Sequence, residues 1–119
     1  GRLISLAMAH TKESLGYRLE SKDGLVLAYS GDTEYCRNVV TLASEADIFF
    51  CECSFPDHLE TSGHLSPAGA GRVAREAVCK RLVLTHLYPA CDETDVVAAC
   101  RQEYSGEIIV AEDHMWFRF

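Results

Sequence analysis

From residue 25 to residue 113 the chain alternates short apolar runs with helix-type patterns, and this alternation constrains the fold more than any other feature. The runs "LVLAYS" (25–30), "ADIFFCEC" (46–53), "LVLTH" (82–86) and "EIIVAED" (107–113) are short and rich in β-branched and aromatic residues, so they read as strands. Between them residues 34–44, with Val39, Val40, Leu42 and Ala43, read as a short helix. Ser66-Pro67 is an N-cap followed by proline at the first helical position, opening a helix through Val73, Ala74, Ala77 and Val78 that closes near Lys80-Arg81. A third helix is expected over 92–104, with Val96, Val97, Cys100 and Tyr104 on one face. Ahead of this series, "RLISLAMA" (2–9) and Gly16–Glu20 read as strands, and Lys22-Asp23-Gly24 as the hairpin turn into "LVLAYS". "HMWFRF" (114–119) is expected to be a final short strand. The pattern has no repeats, linkers or low-complexity stretches, and describes one α/β domain over residues 1–119.

Composition narrows the function classes. With 119 residues, 48% hydrophobic and 24% charged, the chain has the mix of a globular domain with one core. Its 18 Asp and Glu against 11 Lys and Arg give a net charge of −7, and no basic cluster exceeds Lys80-Arg81, which argues against a nucleic-acid footprint. No apolar run approaches the roughly 20 residues of a membrane helix. Cysteines 36, 51, 53, 79, 91 and 100 lie within apolar or helical patterns, as expected of reduced, mostly buried thiols in a cytoplasmic protein. A strand from the first few positions suggests that the chain starts in mid-architecture, as a fragment would.

Four chemically capable side chains fall just past strand ends or at a helix entrance: His10, Asp32, His64 and His86. In sheet-based folds ligands gather at the carboxyl ends of strands. Imidazole and carboxylate suit borderline cations such as zinc, and a carboxylate can bridge two ions. Asp32, in "SGDT", could equally be ordinary turn chemistry. Glu52 sits between Cys51 and Cys53, where alternation sends it to the face opposite both thiols. A buried carboxylate needs a partner, and His64 is the candidate, its tautomer fixed by Glu52 so that the other ring nitrogen can serve a leaving group. Cys-Glu-Cys alternatively suggests a thiolate metal site, a weaker signal without a second cysteine pair.

Taken in order, "AHTKESLGYRLE", "SGDT", "CECSFPD", "GHLSPAGAGRVAREA" and "LVLTHLYP" resemble the C-terminal half of metallo-β-lactamase-fold hydrolases, most closely the ribonuclease Z-like branch. The resemblance implies half of an αββα sandwich: one mixed sheet with helices on its outer face. It also implies a hydrolytic site with two divalent ions, usually zinc, with manganese or iron as alternatives. In that scheme His10 matches a ligand of the first metal, Asp32 the bridging aspartate and His86 a ligand of the second. His64 matches the histidine that assists the leaving group, and Glu52 the glutamate that holds it.

Two departures shape the expectation. The family's H-x-H-x-D-H signature is absent from residues 1–119, so each metal would keep one histidine and the shared aspartate, too few for a catalytic site, and this chain alone would be inactive. A missing N-terminal half, or a second copy forming a homodimer, would then cover the inner apolar face of the sheet. The tRNA-processing members carry a long arm; here only 13 residues separate Arg18 from Asp32, and Leu87-Tyr88-Pro89 follows His86. With the acidic charge, this favours a small phosphodiester or related ester as substrate over tRNA 3′ processing. The non-enzymatic alternative is an idle half-domain serving as a scaffold or association partner.

Overall fold

The computed structural model describes residues 1–118. Six strands form one mixed sheet in the order β1 (Arg2–Ala7), β2 (Leu15–Glu20), β3 (Val26–Tyr29), β4 (Ile48–Glu52), β5 (Arg81–Thr85) and β6 (Glu107–Val110). β1, β2 and β3 pair antiparallel, whereas β3 to β6 run parallel. The parallel pairs are joined by helical crossovers, α1 (Arg37–Ala43), α2 (Pro67–Ala77) and α3 (Val96–Arg101). Because β1 is antiparallel to β2 and β2 to β3, the carboxyl ends of β1, β3, β4 and β5 all reach the same edge.

The helices lie side by side, α1 on α2 and α2 on α3. Between them and the sheet sits the core, which includes Ala28, Phe49, Cys51, Leu82 and Leu84 from the strands and Val39, Leu42, Val73 and Ala74 from the helices. The opposite sheet face is open over β1 to β3, where Leu3, Tyr17, Leu19 and Tyr29 are 66%, 40%, 46% and 45% exposed.

The α2 prediction holds at its start: Ser66 Oγ accepts from the Gly69 N–H at 3.3 Å and Pro67 is the first helical residue. Its end comes earlier, at Val78, which adopts the left-handed conformation. α1 begins at Arg37 rather than 34, because Cys36 is extended at φ −153° and ψ 161° and stands as the N-cap. In the 92–104 segment Asp95 caps a shorter α3 through the Ala98 N–H, and 89–93 form a 3-10 turn instead.

The last strand expected over 114–119 is not formed among the described residues 114–118. Its aromatic residues take a different use: Phe117 packs edge-on against Phe50 at 5.3 Å, and Arg81 Nη2 donates to the Arg118 carbonyl. The tail thus lies against the open face beside β4. Phe119 lies outside the described residues.

Candidate metal and acid site

Every candidate side chain sits at the shared carboxyl edge of the sheet. His10 follows β1, Asp32 follows β3, Glu52 ends β4, His86 follows β5, and His64 stands on the loop before α2. The turn carrying Asp32 requires its glycine: Gly31 has φ +61°, and a Cβ there would meet the Leu15 carbonyl oxygen at 2.6 Å. His86 is itself left-handed, at φ +59°, a strained conformation of the kind that gathers at functional sites.

Glu52 is the structural centre, only 1% exposed. Oε1 accepts from the Thr33 N–H and from His64 Nδ1, both at 2.9 Å. Oε2 accepts from the Leu65 N–H at 3.0 Å and from Ser54 Oγ at 2.8 Å. Thr33 follows Asp32 and Leu65 follows His64, so one carboxylate pins both functional loops through the neighbouring backbone. Four donors fill the two oxygens, which is how a buried carboxylate is sustained.

Around Asp32 the situation is open. Its two oxygens face different histidines, Oδ2 lying 3.9 Å from His10 Nε2 and Oδ1 3.6 Å from His86 Nδ1. The side chains of Asp32, His10 and His86 are 39%, 29% and 37% exposed, against 12% for His64. The rings of His10 and His64 lie 4.8 Å apart, and those of His64 and His86 stack at 5.8 Å. Sequence reasoning had grouped His10, Asp32 and His86, and separately His64 with Glu52; the structure brings all five together at one edge.

Tautomers follow from the partners. His10 Nδ1 lies 3.0 Å from the Gly63 carbonyl, which can only accept, so Nδ1 carries the proton and Nε2 keeps its lone pair. His64 Nδ1 donates to Glu52, and its Nε2 is left for other work. Such outer partners, fixing one ring nitrogen and freeing the other, are the usual support of metal-binding histidines. The donor set of Asp32, His10 and His86 therefore fits a divalent cation.

Glu52, His64 and His86 also offer ligand atoms within 4.8 Å of one another. As a metal centre this trio is poorer, because binding through Glu52 would strip hydrogen bonds from Thr33, Leu65, Ser54 or His64 in a buried setting. The Cys-x-Cys alternative fails. Cys51 and Cys53 are fully buried in the helix-side core, burial pushes both thiols up, and Cys51 Sγ donates to the Glu52 carbonyl. All six cysteines are unpaired, with Cys79 pushed up to about 11 and Cys100 to about 12 by burial.

A cleft of about 530 Å³ opens beside His64, with Tyr35, Glu60, Thr61, Ser66 and Arg72 in its walls. Arg72 lies over the Tyr35 ring at 3.8 Å and is held by Glu76, which also receives the Tyr35 hydroxyl. Two residues that sequence reasoning missed complete the site: Ser54, between Glu52 and the two histidines, and Gly63, whose carbonyl orients His10.

The beta-lactamase superfamily domain model matches residues 2–87. An uncharacterized protein of Mycobacterium tuberculosis is 38% identical over 109 residues, 89% of this chain and 40% of that protein. Ribonuclease Z of Nocardia farcinica is 40% identical over 101 residues, 79% of this chain and 32% of that protein. The chain thus spans 40% or less of the length of these two relatives. Among solved structures, the metallo-beta-lactamase fold protein YhfI from Bacillus subtilis superposes with a TM-score of 0.82 at 25% identity, over 92% of this chain and 46% of that one.

Proposed function

The chain belongs to the beta-lactamase superfamily, and from that membership we propose that it carries part of a metal-dependent hydrolase site for phosphodiester or related ester bonds. The observation behind this reading is Asp32 standing between two histidines, Oδ2 at 3.9 Å from His10 Nε2 and Oδ1 at 3.6 Å from His86 Nδ1, so that three ligand-type side chains share one edge. His10, Asp32 and His86 would hold divalent ions, with zinc first among the candidates and manganese or iron as alternatives. Bound there, such ions supply an activated water and charge neutralisation at the reacting centre.

The rest of the mechanism belongs to this chain's own groups. Glu52 holds His64 by Nδ1 and fixes the orientation of its ring, so that Nε2 is the nitrogen turned to pass a proton to the leaving oxygen. The adjoining cleft gives that leaving group room. With no H-x-H-x-D-H in residues 1–119, the other ligands would come from residues outside this sequence. Those residues, or a second copy of the chain, would also cover Leu3, Tyr17, Leu19 and Tyr29. Among the described residues no helix is long and apolar enough to cross a membrane, and the six unpaired thiols suit the reducing cytoplasm.

The relative named ribonuclease Z gives substance to a second reading, tRNA 3′ processing. The net charge of −7 and the short β2–β3 turn favour the small ester. Turnover of bis(p-nitrophenyl) phosphate by the intact protein tests the proposal. Metal-dependent hydrolysis is expected, falling about 10²- to 10⁴-fold in His64→Ala while metal content is kept. A metal-loaded protein without turnover would favour the idle scaffold.

A further inference from the structure

Ser54 lies just past β4, fully buried, and its single hydroxyl meets three members of the site. Oγ is 2.8 Å from Glu52 Oε2, 2.8 Å from His86 Nδ1 and 3.1 Å from His64 Nδ1. A hydroxyl has one proton and two lone pairs, so only one distribution satisfies all three contacts. The Glu52 oxygens receive the backbone N–H groups of Thr33 and Leu65 and act as acceptors, so the Ser54 proton goes to Oε2. Both lone pairs are then left for N–H donors, one from each ring.

For His64 this contact is secondary, since Nδ1 also reaches Glu52 Oε1 at 2.9 Å. For His86 it is decisive. The other acceptor near Nδ1 is Asp32 Oδ1 at 3.6 Å, beyond hydrogen-bond range. We propose that Ser54 is a positioning residue: its hydroxyl holds His86 as the Nδ1–H tautomer, leaving Nε2 free to bind a metal, and ties that ring to the Glu52–His64 pair. The arrangement parallels that of His10, whose Nδ1 is held by the Gly63 carbonyl. His86 differs in relying on a side chain, which substitution can remove. The metal-binding part of the proposal rests on the hydrolase reading; the tautomer does not.

The test uses intact, ¹⁵N-labelled, metal-free protein, with long-range ¹H–¹⁵N spectra reporting the tautomer of each imidazole. Zinc affinity is measured alongside by competition with a chromophoric chelator. Wild-type His86 should be the Nδ1–H form. Ser54→Ala should move it to a mixed or Nε2–H form and weaken zinc binding about 10- to 100-fold, the usual cost of losing an outer-sphere partner. Ser54→Thr, which keeps the hydroxyl, should restore both. His10 is the internal control and should be unchanged throughout.

An unchanged His86 tautomer in Ser54→Ala, with zinc affinity within about twofold of wild type, would overturn the proposal. So would an equal disturbance of His10, which would make Ser54 a general packing residue. A wild-type protein that takes up no zinc would instead refute the hydrolase reading, and the tautomer comparison would still decide the role of Ser54.

Discussion

Two regions of the same sheet edge, one at the end of β3 and the other at the end of β4, are built on opposite principles. Around Glu52 every buried polar group has its partner, and the carboxylate is filled by two backbone N–H groups, a hydroxyl and an imidazole. Around Asp32 the side chains are a third exposed, and His10 presents a ring nitrogen with no proton. The saturated corner is held in place by its low-dielectric surroundings. The unsaturated edge has ligand atoms to spare for something not supplied by the protein. Stability and reactivity are thus divided between residues 20 positions apart in sequence, Asp32 and Glu52, and joined by the Thr33 N–H.

If that division is correct, substitutions in the two regions should fail differently. The largest loss of stability is expected from Glu52→Ala, which orphans four buried donors and should cost about 3–5 kcal/mol in urea unfolding. A loss below about 1 kcal/mol would mean that the corner is not the anchor. Gly63→Ala should come next, at about 1–3 kcal/mol. Its φ is +82°, and the new Cβ would sit 2.8 Å from His10 Nδ1, so metal affinity should fall with stability.

Away from the edge the effects shrink. Tyr29→Glu, on the open face, should leave the melting temperature nearly unchanged while dissociating any complex formed through that face, as light scattering would detect. A Tyr29→Glu protein that keeps its association state would locate the contact elsewhere. The smallest effect is expected at Asp47, where the Lys80 ammonium, helped by the Val26 N–H, holds the carboxyl below its ordinary range. A carboxyl depressed on folding contributes above its unfolded pKa and loses that contribution as pH falls through the folded value. The acid limb of the stability profile should therefore be slightly flatter in Asp47→Asn, whose small deficit near neutrality should vanish as the pH falls.

The sequence was most legible where local chemistry and global position agree. Ser66-Pro67 declared the start of α2, and short apolar runs between helical patterns declared β3 to β6. The expectation that His10, Asp32 and His86 share one edge follows from strand ends alone, and their places after β1, β3 and β5 put them there. Reading failed where tertiary contacts outbid periodicity. Val39, Val40, Leu42 and Ala43 do lie in a helix, but its expected start at residue 34 comes too early, because Cys36 is extended. "HMWFRF" has strand composition, yet Phe117 found a better partner in Phe50 than in a neighbouring strand. Ser54 carried a faint signal, a small polar residue two places beyond a buried acid. Gly63 carried only its position ahead of His64, and a carbonyl's partner cannot be read from a residue type.

The central claim is that the open edge takes the metal and the buried corner only supports it. It is tested most directly by zinc titration of the intact protein in two variants, Asp32→Asn and Glu52→Gln, each with its fold confirmed by circular dichroism. The account predicts that Asp32→Asn loses zinc binding by at least about 100-fold, whereas Glu52→Gln, though less stable, retains it within about tenfold. The reverse pattern, with zinc lost in Glu52→Gln and kept in Asp32→Asn, would place the ion in the Glu52–His64–His86 trio and contradict the account.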